Sequence, residues 1–163
     1  MLVRRNWDVS PKLTQRRQAG ESLFIVILYG LFVLLLSVLA VRVGFRDLAI
    51  GTDYRRYYSH YLTLHSEMVP SGRFEIGYQV LELVGAYLRL PPEYFFSLVA
   101  FLNMVFHLWA FSALTRGTVQ DDVERHIIAL ATTGVLMAWP FYWNGVTNII
   151  RQGLSVPFLL LYL

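Results

Sequence analysis

The chain has 163 residues, 56% of them hydrophobic and only 15% charged, with a formal net charge of +3 and a mean hydropathy of +0.48. Soluble domains carry roughly 25% charged residues, so this composition excludes an ordinary soluble domain and points to an integral membrane protein. There is no cysteine, which excludes disulfides, thiolate metal sites and cysteine nucleophiles.

Residues 1–21 read as a polar cytoplasmic tail with five basic residues, Arg4, Arg5, Lys12, Arg16 and Arg17. Residues 22–163 read as a single membrane domain. Lys12 is the only lysine; in a membrane protein an arginine-based positive balance reports topology and lipid headgroups, and no nucleic-acid motif accompanies it. Residues 22–41 carry no charge, and twenty helical residues span about 30 Å, enough for the hydrocarbon core. A cleavable signal peptide would have a shorter apolar region of roughly 7–15 residues, so this stretch reads as a retained span, although "VLA" before Val41 resembles a cleavage site. Next comes "GTDYRRYYSHY", residues 51–61. It reads either as an interfacial aromatic anchor or as part of a site for a charged, sugar-bearing substrate.

The second apolar region, 74–90, is weaker and holds two glutamates. The third, 94–114, is a clear span, opened by "PPE", whose proline suits a first helical turn. Residues 115–125 are a polar loop. The fourth region, 127–141, is short and breaks at "WPFYWNG". A fifth starts near Gly153. The eleven residues after Gln152 cover only about 16 Å of helix, so the chain reads as the N-terminal part of a longer fold. The expected class is an all-α integral membrane protein, a polytopic helical bundle of four or five transmembrane or re-entrant helices, incomplete at its C-terminus.

Polar residues inside these regions are the candidates for chemistry. On a helix, Glu75, Glu82 and Arg89 fall seven apart near one face, with Tyr78 and Gln79 beside them. A carboxylate near the centre of a span costs roughly 2.5 kcal/mol or more, so it should face other helices or a wet cavity; the alternative is a surface helix with its acids in water. Asn148, Arg151, Gln152 and Ser155 form a stripe at i, i+3, i+4 and i+7. Arginine suits phosphate because its planar fork donates two parallel hydrogen bonds, though a loop arginine snorkelling to headgroups explains the same stripe. Pro157 predicts a kink or a broken helix. Asn103 and His107, four apart, read as an interhelical hydrogen bond. His60 and His65 are spaced wrongly for a metal pair on one helix face, and neither a metal nor another cofactor is expected. Trp139, Tyr142 and Trp143 read as an interfacial belt or as a sugar-stacking platform.

Three pieces in order, "GTDYRRYY", "FEIGYQVL" and "NIIRQGLS", resemble the EpsG-type family of Wzy-like bacterial exopolysaccharide polymerases. The matching residues are Gly51, Asp53, Tyr54 and Tyr57, then Glu75, Gly77 and Tyr78, then Arg151 and Gln152. The resemblance runs from about residue 22 onward. It implies an inner-membrane, multi-pass glycosyltransferase-type enzyme that joins oligosaccharide repeat units carried on polyprenyl pyrophosphate, working beside other export and assembly proteins. It also implies the roles: Asp53 or Glu75 orients or deprotonates the acceptor hydroxyl, Arg151 with Arg55 or Arg56 holds the pyrophosphate, and Tyr54, Tyr57 and Tyr78 pack sugars or order the acids. Asn148 and Gln152 would line the same site.

Two further readings stand beside this one. The chain is a non-catalytic membrane component that binds or moves lipid-linked sugars, or it is a small helical membrane scaffold. Topology also raises a difficulty. The basic tail suggests a cytoplasmic N-terminus, but the first loop holds five arginines as well: Arg42, Arg46, Arg55, Arg56 and Arg73. If each apolar region is a full crossing, residues 115–125 lie on the same side as Asp53 and Arg151 lies on the other, unless residues 127–150 are re-entrant.

Overall fold

A computed structural model describes residues 11–49, 53–67, 76–116, 118–138, 156, 157 and 159. Among the described residues the structure is all helical and contains no strand. The five helices are α1 (Pro11–Gly44), α2 (Tyr54–Glu67), α3 (Ile76–Tyr87), α4 (Pro92–Arg116) and α5 (Asp122–Ala138). Two of them are long and apolar enough to cross a membrane, α1 over Ala19–Gly44 and α4 over its full length.

Proline starts both long helices, at Pro11 and Pro92, where its missing N–H costs nothing and its fixed φ is already helical. Thus α1 begins inside the stretch read from the sequence as a polar tail. α5 is started by Asp121, whose carboxylate accepts a hydrogen bond from the Glu124 amide at 2.9 Å. That satisfies a donor with no partner inside the helix, and it places Glu124 three residues after the cap, as at many helix N-termini.

α1 and α4 pack antiparallel. Midway along α1, the Tyr29 hydroxyl lies 3.5 Å from Ser112 near the end of α4. At the other end, the Phe45 ring beyond α1 meets Tyr94 in the first turn of α4, centroids 5.2 Å apart. Gly44 makes this approach possible: any side chain there would collide with the Glu93 carbonyl and the Ser97 hydroxyl. α5 lies beside both and runs with α1, since Tyr29 also shares a 2.9 Å hydrogen bond with His126 near the start of α5. Met137, near its end, joins Leu36, Ala40, Val43, Ala100 and Met104 in one buried cluster. Most of the other large apolar side chains of α1, from Leu23 to Val41, point outward, as lipid-facing residues do.

The second apolar region differs from a crossing. α3 has 12 residues, about 18 Å of helix, well short of a bilayer core of about 30 Å. Its end is sharply built. Arg89 adopts a left-handed backbone with φ of 53°; its amide donates to the Ala86 carbonyl at 2.9 Å, and the Leu90 amide donates to Gly85 at 3.0 Å. This paired closure is the Schellman motif, usually occupied by glycine, and Pro91 and Pro92 follow at once. α2 and α3 therefore both sit at the end of the bundle where α1 finishes and α4 begins. Residues 118–121 lie at the opposite end, which corrects the expectation that they share a side with the first loop. α5 then leads back toward the end that carries α2.

Candidate functional site

The tyrosines of "DYRRYYSHY" organise the end of the bundle at which α2 sits. Tyr54, Tyr57, Tyr61 and Leu64 recur at i, i+3, i+7 and i+10 and form the buried face of α2. The three tyrosines pack against Tyr78 of α3 and against Phe95, Phe96 and Val99 of α4. Tyr61 stacks on Phe95 with centroids 4.2 Å apart and planes 7° from parallel. Tyr54 meets Phe96 edge to face at 5.0 Å, and Tyr57 meets Tyr78 in the same way at 5.5 Å. Gly85 lets α3 close on this cluster, because a Cβ there would press on the Phe95 ring and on the Tyr61 hydroxyl.

Three hydroxyls tie the platform to the rest of the chain. Tyr54 donates to the Gly44 carbonyl at 2.9 Å, Tyr61 to the Leu90 carbonyl at 2.9 Å and Tyr58 to the Glu93 carboxylate at 2.7 Å. The Arg46 guanidinium lies 3.6 Å over the Tyr54 ring, a cation–π contact. Burial pulls the Arg46 pKa down to about 10 and pushes Tyr54 and Tyr61 up to about 12. Tyr58 is raised chiefly by its bond to Glu93.

These shifts set an alkaline limit on the platform. A raised phenol pKa means the fold favours the neutral ring. The resulting stability is complete below the ordinary value of 10.0 and is lost as pH rises through about 12. The expected outcome is that tyrosinate absorbance from these residues appears late and coincides with loss of helical circular dichroism. Titration of every tyrosine near the ordinary value, with helicity unchanged, would contradict the packing described.

The residues expected at the site separate into three groups. Asp53 sits at the N-cap position of α2, its carbonyl accepting from the Arg56 amide at 3.0 Å and the Tyr57 amide at 3.1 Å. Arg55 and Arg56 are exposed, whereas Tyr54, Tyr57 and Tyr78 are buried. The Tyr57–Tyr78 contact joins the first motif to the second. Glu75, Asn148, Arg151 and Gln152 lie outside the described residues, as do Gly51, Trp139, Tyr142 and Trp143. In α4, Asn103 and His107 are both buried, and the His107 Nδ1 bonds the Asn103 carbonyl one turn back at 2.9 Å.

Spacing gives no hint of one further pair. Glu82 of α3 is fully buried, and its Oε1 lies 3.1 Å from Nδ1 of His60 on α2. The two residues are 22 positions apart, and no local periodicity links them. At the opposite end of the bundle an open cleft of about 620 Å³ is lined by Glu21, Ser22, Ile25, Val26, Asp122, Val123 and His126. It has no part in the tyrosine platform.

Residues 26–163 match the family model described as the EpsG family. Neither a curated protein nor a solved structure gives a significant match.

Proposed function

The chain belongs to the EpsG family, and from that premise we propose that it is a Wzy-like polysaccharide polymerase of the bacterial inner membrane. In this reading it is multi-pass with a cytoplasmic N-terminus, and it joins oligosaccharide repeat units carried on polyprenyl pyrophosphate. A hydroxyl of one unit attacks the anomeric carbon of the other, and polyprenyl pyrophosphate leaves. The chemistry needs a proton acceptor near the hydroxyl and cations at the leaving group.

The observation that carries this reading is the placement of α2. The basic residues before the apolar span of α1 favour a cytoplasmic start, so in this reading the tyrosine platform at the far end of α1 faces outward, where repeat units are joined. α5 runs back toward that same end, which supports a reading in which Asp53 and Arg151 share one site. We assign Asp53 and Glu75 to the acceptor hydroxyl and Arg151, with Arg55 or Arg56, to the pyrophosphate. Asn148 and Gln152 line the same pocket. Tyr54, Tyr57 and Tyr78 are closed off from solvent, so their role is to order α2 and its acid rather than to pack sugars.

The test is direct. The purified gene product in proteoliposomes, supplied with a synthetic polyprenyl-pyrophosphate-linked oligosaccharide, is expected to yield a ladder of longer saccharides and free polyprenyl pyrophosphate. Binding of the lipid-linked unit without any ladder would instead identify a non-catalytic carrier.

A further inference from the structure

The polarity of α3 is turned inside out. Between Ile76 and Leu88 the sequence holds one charged side chain, Glu82, and Glu82 is buried and bonded to His60 of α2. Among the described residues, the side chains that α3 leaves uncovered are apolar or aromatic. Val80 and Val84 are each 51% exposed and Tyr87 79%, and Leu88, just beyond the helix, is 58% exposed. A helix lying on a protein surface in water shows the reverse, with polar side chains outward and apolar ones inward. Positions 80, 84, 87 and 88 recur at i, i+4, i+7 and i+8, so they form one stripe and not scattered single exposures.

Two packing relations fix how this stripe lies. Tyr54, Tyr58 and Tyr61, spread over two turns of α2, all meet Phe95 or Phe96, neighbouring residues of α4. α2 therefore crosses α4 steeply instead of running along it. α3 runs beside α2 in the same direction, since Tyr57 meets Tyr78 and His60, a turn further on, meets Glu82. With α4 crossing the membrane, both short helices lie near the membrane plane. Depth also follows from α4. Its 25 residues rise about 37 Å, against a hydrocarbon core of about 30 Å. The excess places its first turn at the boundary between acyl chains and headgroups. α3 sits at that level, because Gly85 abuts the Phe95 ring. The Phe45 and Tyr94 rings, which meet at the same end of the bundle, are likewise turned outward.

We infer that α3 is an interfacial helix. Its stripe of Val80, Val84, Tyr87 and Leu88 is seated against the acyl chains of the bilayer's own lipids, on the membrane face that carries the tyrosine platform. Such helices bury their apolar side about 5–10 Å into the boundary between headgroups and acyl chains. The end of the stripe suits that depth. Tyr87 places a ring at headgroup level, where tyrosine is enriched, and Arg89, exposed at the turn, has a stem long enough to carry its charge to lipid phosphate. Seating α3 also sets the depth of α2 through the Tyr57–Tyr78 contact, so the helix that begins after Asp53 is held beside the headgroup layer. The inference needs a membrane-embedded chain but not catalysis, so its test is independent of the polymerase reading.

The experiment places one nitroxide at a time on the full chain in lipid nanodiscs, which the absence of native cysteine allows. Labelled Val80→Cys, Val84→Cys and Leu88→Cys are compared with two references. Leu34→Cys points outward on the apolar span of α1, and Glu124→Cys is exposed at the polar start of α5. Collision with oxygen, which concentrates in lipid, and with a water-soluble nickel chelate gives a depth for each label. The expected result is a shift of all three α3 labels away from the Glu124 value and toward the Leu34 value, to a depth of about 5–10 Å below the headgroups. Relaxation by the nickel chelate as strong as at Glu124 would put the stripe in water and overturn the inference. Weak relaxation by both reagents would overturn it too, because the stripe would then be covered by protein, either another helix of the chain or a second copy.

Discussion

Replacing Tyr61 by alanine is expected to release α2 from the bundle. Tyr61 is 0% exposed, stacks on Phe95 at 4.2 Å and donates to the Leu90 carbonyl. Truncating a fully buried aromatic ring costs roughly 3–5 kcal/mol through lost transfer energy and the cavity left behind. Its stacked geometry adds about 0.5–1.5 kcal/mol. Domains are stable by only about 5–15 kcal/mol in total, so a loss of this size is large. It should fall first on α2 and α3, which rest on α4 through this cluster, and less on the α1–α4 pair, whose buried contacts are separate. Tyr61→Phe isolates the hydroxyl. It keeps the ring and removes one hydrogen bond, an expected loss of about 1 kcal/mol. Hydrogen exchange read helix by helix should show α2 amides opening in the alanine variant and nearly protected in the phenylalanine variant. Equal opening in both would mean that the hydroxyl, and not ring packing, holds the platform.

The contrast between these residues and the long helices shows what can be read from sequence. α1 and α4 are legible because an uncharged run of span length leaves little choice in a membrane. The helical spacing of Tyr54, Tyr57, Tyr61 and Leu64 is also present in the sequence. It reads first as an interfacial anchor because tyrosines beside arginines are common at headgroup level, and only the packing of Phe95 and Phe96 shows that they are covered. The end of the second apolar region, before Pro91 and Pro92, is read from the sequence, but the form of its closure is not, because it uses Arg89 in a backbone region that glycine usually occupies. Counting that region as a crossing is what moves residues 118–121 to the wrong end of the bundle. The pairing of His60 with Glu82 is equally hidden, since a contact between two helices 22 residues apart leaves no periodic trace. The family resemblance, by contrast, is carried by short motifs whose order survives in one sequence.

The second large effect concerns Asp53 and Arg151, and the choice of substitution decides what is learned. Asp53 holds the N-cap position of α2, where aspartate and asparagine are preferred to alanine, so a loss of activity in Asp53→Ala would mix chemistry with a change in how α2 starts. Asparagine caps a helix as well as aspartate does, so Asp53→Asn keeps the start of α2 and removes only the charge. If Asp53 orients the acceptor hydroxyl as an anion, polymer yield should fall by about two orders of magnitude or more, with the thermal transition unchanged. Arg151→Lys applies the same logic to the leaving group. It keeps a positive charge and removes the planar fork that grips two phosphate oxygens at once. Turnover should drop by about 10²–10³, the usual effect of losing one preorganised donor to developing charge. The pair also tests the shared site. Residues that act on one transition state are far from additive, so the double variant should be little worse than the more damaged single one. Fully multiplicative losses would place Asp53 and Arg151 in separate steps, and wild-type yield and chain length in both single variants would remove them from the reaction.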